Sequence, residues 1–171
     1  MSNPTYRNMG DHTESIEIDF DADIITYEEL LNIFWKNHNP LRDTFYKDRQ
    51  YMSLLLFHND DQKKQAQRVK SEWEQLLNGE IQTEMVAHSA FYLAEDYHQK
   101  YYLKRYPKAV EKVINIFESH HDFVNSTIAA RLNGFVAGHG KLVSLKEEIA
   151  LWGLNPEDSK TLVELINNLK W

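Results

Sequence analysis

Between Ser15 and Val86 the apolar residues change their spacing repeatedly, and this alternation constrains the fold more than any single motif. Ser15-Ile16-Glu17-Ile18-Asp19-Phe20 alternates polar and apolar, which puts Ile16, Ile18 and Phe20 on one face of a strand. Thr26 with Glu29 three residues on is a capping box, so a helix starts at Tyr27 and carries Tyr27, Leu30, Leu31, Phe34 and Trp35 as its apolar stripe. It stops near Asn37, because Asn39-Pro40 cannot continue it. Tyr51 to Phe57 reads as a second strand, whose continuous Leu54-Leu55-Leu56-Phe57 predicts burial on both faces. Asn59 or Asp60 caps the next helix, Ala66, Val69, Trp73, Leu76 and Leu77 keep its spacing, and Asn78-Gly79 ends it. Ile81 to Val86 is a third strand. This order predicts a two-layer α+β sheet with helices packed against it.

The rest reads as helical. Phe91 to Tyr102 enters a helix that ends before Pro107. Val110, Val113, Ile114 and Phe117 make one stripe, and Ser126 or Thr127 starts a helix carrying Ile128, Leu132 and Phe135. Gly138-His139-Gly140 breaks that helix, Ser144 with Glu147 makes a further capping box, and Asn155-Pro156 opens the last helix, with Leu162, Leu165, Ile166 and Leu169 inward. There is no internal repeat, low-complexity tract or flexible linker.

A chain of 171 residues, 42% apolar and 26% charged, can bury a working core. Its formal net charge of -7 argues against sequence-independent nucleic-acid binding, which relies on clustered Lys and Arg. There is no apolar run of transmembrane length and no N-terminal signal pattern, so no membrane partner and a cytoplasmic location are expected. Zero cysteine excludes disulfides, thiolate metal sites and any thiol nucleophile within these residues.

The chemistry-bearing residues gather in two loops. In Asn3-Pro4-Thr5-Tyr6-Arg7-Asn8-Met9-Gly10-Asp11-His12-Thr13-Glu14, Gly10-Asp11 permits a tight turn. A phenol, an imidazole and a carboxylate (Tyr6, His12 and Glu14) follow one another closely there. Asn37 to Gln50 is a long loop of the kind that often carries function. The helix aromatics Tyr27, Phe34, Trp35 and Trp73 read as core, and Tyr101, Tyr102 and Tyr106 as half-buried amphipathic residues. Glu95 to His98 and Glu118 to His121 have the Glu-x-x-His spacing of carboxylate-bridged di-iron bundles, but such a site needs glutamates from two more long helices, and the strands argue against it. No metal is expected.

The motif order resembles the class A peptide methionine sulfoxide reductases. Asn3-Pro4-Thr5-Tyr6 with Gly10-Asp11-His12-Thr13-Glu14 resembles their N-P-T-Y and G-D-H-T-E loop. Ile25 to Leu31, Phe34-Trp35 and Asn37-His38-Asn39-Pro40 resemble the family's helix and following loop, with Asn39 where aspartate is commoner. Arg49-Gln50-Tyr51-Met52-Ser53 resembles the family's Q-Y-x-S segment, and Phe91 to Gln99 resembles F-Y-x-A-E-D-Y-H-Q. These motifs cover residues 3 to 106 in the family's order, and Ser126 to Gly138 resembles an extension of longer members.

The resemblance implies a ferredoxin-like α/β plait over residues 1–106, truncated at its N-terminus, with a helical C-terminal subdomain over 107–171. It assigns the catalytic acid to Glu14 and the sulfoxide-binding hydroxyls to Tyr6 and Tyr51, with His12 matching the motif in the substrate loop. The family's further loop aspartate falls near Tyr46, so Asp43 or Asp48 substitutes only if the loop bends differently. The family binds no cofactor, takes thioredoxin or a dithiol as reductant, and acts on methionine sulfoxide in proteins or peptides. Its nucleophile is a cysteine in a G-C-F-W-G box upstream of the Tyr6 loop, and no residue here replaces it: serine hydroxyls such as Ser2 and Ser53 ionise too poorly, and Met9 is already a thioether. The expectation is a peptide-methionine (S)-S-oxide reductase relative inactive on its own, a pseudoenzyme or part of a longer protein; the alternative is a non-catalytic binder of oxidised methionine or another small polar ligand. The missing segment would expose a sheet edge, to be covered by the C-terminal helices, by a homodimer partner or by the rest of a longer chain.

Overall fold

The structure, a computed structural model, describes residues 4–42 and 49–171. The chain forms two compact units, Met1–Leu93 and Ala94–Trp171. Helices and a small parallel sheet make this an α+β protein.

In the first unit α1 (Tyr27–Lys36) begins at the expected capping box: Glu29 N–H donates to the Thr26 hydroxyl at 3.2 Å, and Thr26 N–H donates to Glu29 Oε2 at 2.8 Å. β1 (Leu54–Phe57) follows a 3₁₀ turn over Arg49–Tyr51, and α2 (Asp60–Leu77) is capped by Asn59, whose side chain accepts from Gln62 N–H at 2.9 Å. Asn78, left-handed at φ 50°, ends α2. β2 (Glu84–Ala87) then pairs parallel with β1, Leu54 opposite Glu84 and Phe57 opposite Ala87. A parallel pair needs a crossover, and α2 supplies it. Leu31 and Trp35 of α1 pack with Ala66 and Val69 of α2 and with Ile81, and Tyr27, Phe34 and Trp73 rest against this core, so the helix aromatics are packing residues.

Two expectations fail in this unit. Ser15–Phe20 is not a strand, and Ile16 is 83% exposed. Alternation defines a face, but a strand exists only where a neighbour pairs its backbone, and among the described residues none runs beside this segment. The four residues of β1 are half-buried rather than enclosed on both faces, because the described sheet has two strands.

The second unit is all-helical: α3 (Tyr101–Lys104), α4 (Pro107–Ile114), α5 (His120–Asn125), α6 (Thr127–Val136), α7 (Leu142–Ile149) and α8 (Pro156–Asn168). Its core holds Leu103, Ala109, Val113, Phe123, Ile128, Leu132, Leu145, Ile149 and Ile166. Ser126 and Asn155 cap α6 and α8 as the sequence predicts, and Gly138 and Gly140 break the chain after α6 with φ of 95° and 78°.

Here too the sequence misleads, at three places. Phe91–Gln99 is not helical; Asp96–Lys100 makes turns, and Lys100 at φ 54° prevents a helix from running into Tyr101. Ser144 lies inside α7, whose N-cap is Lys141, since the turn through Gly140 delivers the chain extended three residues sooner than Ser144. Of the three tyrosines expected to be half-buried, Tyr106 is, while Tyr101 and Tyr102 are exposed.

Candidate functional site

The Tyr6 loop is shaped by its own backbone. Asn8 N–H donates to Thr5 O at 2.8 Å, His12 N–H donates to Met9 O at 3.0 Å, and Gly10 takes φ 59° between them. The loop is then fastened to the 3₁₀ turn: the Thr13 hydroxyl donates to Arg49 O and Glu14 N–H to Gln50 O, each at 2.9 Å.

These bonds bring the sequence-predicted residues together in part. The Tyr6 and Tyr51 phenol oxygens lie 3.3 Å apart, one donating to the other, although the residues are 45 positions apart in sequence. Both rings are accessible, Tyr6 43% and Tyr51 52% exposed. Glu14 is exposed rather than enclosed by apolar groups, and its Oε1 accepts from Gln50 Nε2 at 2.7 Å. The His12 ring abuts the edge of Tyr92 at 5.3 Å between centroids. Asp43, Tyr46 and Asp48, the positions considered for an additional loop aspartate, lie outside the described residues.

Residues not singled out from sequence hold this arrangement. The Arg49 guanidinium donates to both Glu84 carboxylate oxygens at 3.1 Å and, through Nε, to Asp11 O at 2.9 Å. Glu84 beside it raises the Arg49 pKa. Arg49 and Gln50 immediately precede Tyr51 in the chain, and that adjacency is the signal available for them.

On the other side of Tyr51, Ser53 sits in a hydrogen-bonded chain. Trp35 Nε1 donates to the buried Thr83 hydroxyl at 3.3 Å, Thr83 and Ser53 oxygens are 2.8 Å apart, and Ser53 Oγ is 2.8 Å from His38 Nε2. His38 Nδ1 faces Phe34 O at 2.8 Å and must donate to it, because a carbonyl carries no proton. In the neutral imidazole Nε2 therefore accepts from Ser53, Ser53 accepts from Thr83, and every donor in the chain is used.

A groove of about 360 Å³ lies elsewhere in the unit, lined by Phe57, Lys63, Lys70, Glu74, Thr83 and Met85, and holds none of the loop groups. No group of three or more His, Asp or Glu able to hold a metal occurs among the described residues. Glu95 Oε2 and His98 Nε2 are 4.0 Å apart, and His120 Nε2 lies 3.5 Å from Asp96 Oδ1. No described helix is long and apolar enough to cross a membrane.

The Tyr6 loop thus brings two phenols together, and a carboxylate together with its amide partner, in the unit that carries the parallel β1–β2 pair. The family model of peptide methionine sulfoxide reductase matches residues 1–132, and the chain belongs to that family. It is 43% identical over 154 residues to the peptide methionine sulfoxide reductase of Drosophila melanogaster, covering 90% of this chain and 61% of that protein. With peptide methionine sulfoxide reductase A5 of Arabidopsis thaliana it shares 34% identity over 142 residues, 80% of this chain and 54% of the relative. Peptide methionine sulfoxide reductase MsrA of Sulfolobus acidocaldarius is 40% identical over 116 residues, 63% of this chain and 66% of the relative. The chain thus spans less than two thirds of the length of each of these relatives.

Proposed function

We propose that this chain supplies the substrate-recognising part of a peptide-methionine (S)-S-oxide reductase. Tyr6 and Tyr51 hydrogen-bond the sulfoxide oxygen, Glu14 is the acid that hands it a proton, and His12 lines the approach from the same loop. The observation that carries this reading is the 3.3 Å convergence of the two phenol oxygens from distant parts of the sequence. Two hydroxyls so placed can donate to one acceptor, and a sulfoxide oxygen is a strong acceptor.

Reduction itself has a defined balance. A thiolate attacks the sulfoxide sulfur and the oxygen takes a proton; the sulfoxide S–O bond then breaks as the hydroxyl passes to the attacking sulfur, leaving a sulfenic acid there and the methionine thioether. The 171 residues hold no cysteine, so the attacking thiol lies outside them. On this reading the chain alone binds oxidised methionine without reducing it. Thioredoxin or a dithiol serves as reductant where a thiol is supplied, and the setting is cytoplasmic. The absence of any thiol also favours a second reading, a dedicated binding protein for oxidised methionine or another small polar ligand.

The same proposal extends to the fold. Residues 1–106 form the reductase-like body, a ferredoxin-like plait completed by further strands, and residues 107–171 are its helical extension. A second copy of the chain is one source of those strands. The strand–helix–strand order of β1, α2 and β2 is what supports an α+β body.

A methionine-S-sulfoxide peptide titrated into the chain should bind saturably, with Glu14→Gln weakening it; no binding up to millimolar peptide would reject the reading. Incubation with dithiothreitol and a methyl sulfoxide should give no turnover. Activity restored by adding the family's cysteine-bearing segment favours the reductase, and continued inactivity with intact binding favours the dedicated binder.

A further inference from the structure

We propose that Arg49 is the positioning residue of this site, holding Gln50 and Tyr51 in the register at which they meet Glu14 and Tyr6; this rests on the reading that those groups take the sulfoxide. Arg49 opens the 3₁₀ turn that presents both residues. One planar guanidinium engages two elements at once: its two Nη atoms reach both oxygens of Glu84 at the start of β2, and its Nε reaches Asp11 O in the Tyr6 loop. Such a fork fixes orientation as well as distance, which a lysine ammonium on a flexible stem cannot do.

Glu84 acts at both ends of the segment. Its carboxylate takes Arg49, and its N–H donates to Ser53 O at 3.0 Å, so Gln50, Tyr51 and Met52 are strung between two attachments to one residue. Ser53 has additional partners in Thr83 and His38, so that end stays tied without Arg49. The Arg49 end has its side-chain fork and the bonds that its own carbonyl and that of Gln50 accept from the Thr13 hydroxyl and Glu14 N–H. Losing the fork frees the plane of the turn while leaving the sheet intact.

The ion pair is only partly shielded, with side chains 43% and 34% exposed. Partly exposed pairs add little to stability, so the consequence of Arg49 is geometric. This separates a positioning role from a structural one. Arg49→Lys keeps the charge and loses the fork; Glu84→Gln keeps the shape and loses the charge.

The test uses the full chain with 3-fluorotyrosine at position 51, followed by fluorine NMR with and without N-acetyl-methionine-S-sulfoxide methylamide. In Arg49→Lys the position-51 resonance should shift and broaden before any ligand is added. Sulfoxide affinity should fall roughly tenfold, the preference for the S over the R sulfoxide should collapse, and the thermal midpoint should stay within about 2 °C. Glu84→Gln should reproduce these changes in weaker form. An unmoved resonance in Arg49→Lys overturns the proposal, as does a large fall in midpoint with loss of signal dispersion throughout the unit. If the unsubstituted chain binds no sulfoxide, the functional reading fails, while the ligand-free resonance still decides whether Arg49 sets Tyr51.

Discussion

His38 Nε2 lies 2.8 Å from Ser53 Oγ, and this contact joins the loop after α1 to the residue just before β1. Since Ser53 also partners the buried Thr83, its hydroxyl satisfies groups on both sides. Ser53→Ala should therefore destabilise the chain by about 1–3 kcal/mol, the cost of stranding two polar partners. Chemical denaturation of Ser53→Ala, His38→Ala and the double variant measures it. A strictly additive double variant would show that the two side chains do not act together.

Acid stability should depend on the first helix cap. Hydrogen bonds from the Thr26 backbone and hydroxyl hold the Glu29 carboxyl below its ordinary value of 4.5. A carboxyl with a depressed folded pKa favours the fold while ionised. Its contribution is therefore complete above the unfolded value and disappears as pH falls through the folded one. Thermal melts of the chain and of Glu29→Gln should differ at neutral pH and converge well below pH 4.5. A gap of constant size across that range would contradict the cap assignment.

Lys100 is a non-glycine residue at φ 54°, and burial together with the nearby Lys104 pushes its ammonium pKa down. Glycine accepts that backbone region without penalty and removes the desolvated charge. Lys100→Gly should raise stability by about 0.5–1 kcal/mol, the strain relieved less the extra freedom of the unfolded chain. A denaturation midpoint that falls would mean the lysine side chain contributes contacts of its own.

The two cores should report separately. Phe123 is fully buried among the helices of the second unit, and Trp35 among α1, α2 and Ile81. Phe123→Ala should cost about 3–5 kcal/mol through the cavity it leaves. Hydrogen exchange should accelerate across α4–α6 while Leu31 and Val69 keep their protection. Equal acceleration in both places would show one cooperative core instead of two.

What was legible in the sequence was local. Thr26 with Glu29, Asn59, Asn78, Ser126 and Asn155-Pro156 mark helix ends through bonds reaching a few residues, so residue type and spacing reveal them. Ser15–Phe20 shows the opposite case, since its alternation is real but a strand is a property of a pair. The break at Lys100 is carried by a backbone angle that no lysine advertises. Tyr6, Glu14 and Tyr51 stood out by motif, whereas Arg49 and Gln50 gain their role from Glu84, Asp11 and Glu14 across long stretches of chain. Reading partners at that separation requires the fold.

The parallel pairing of Leu54–Phe57 with Glu84–Ala87 has a consequence in time. Neither strand can find the other until the chain between them has closed as a loop, whereas the short helices of the second unit meet neighbours close in sequence. Folding is thus expected to be staggered, with amides of α5 and α6 protected early in pulse-labelled hydrogen exchange and those of β1 and β2 late. Because the 3₁₀ turn leads directly into β1, the phenol pair should be among the last features to form, and sheet protection preceding helix protection would reverse that order.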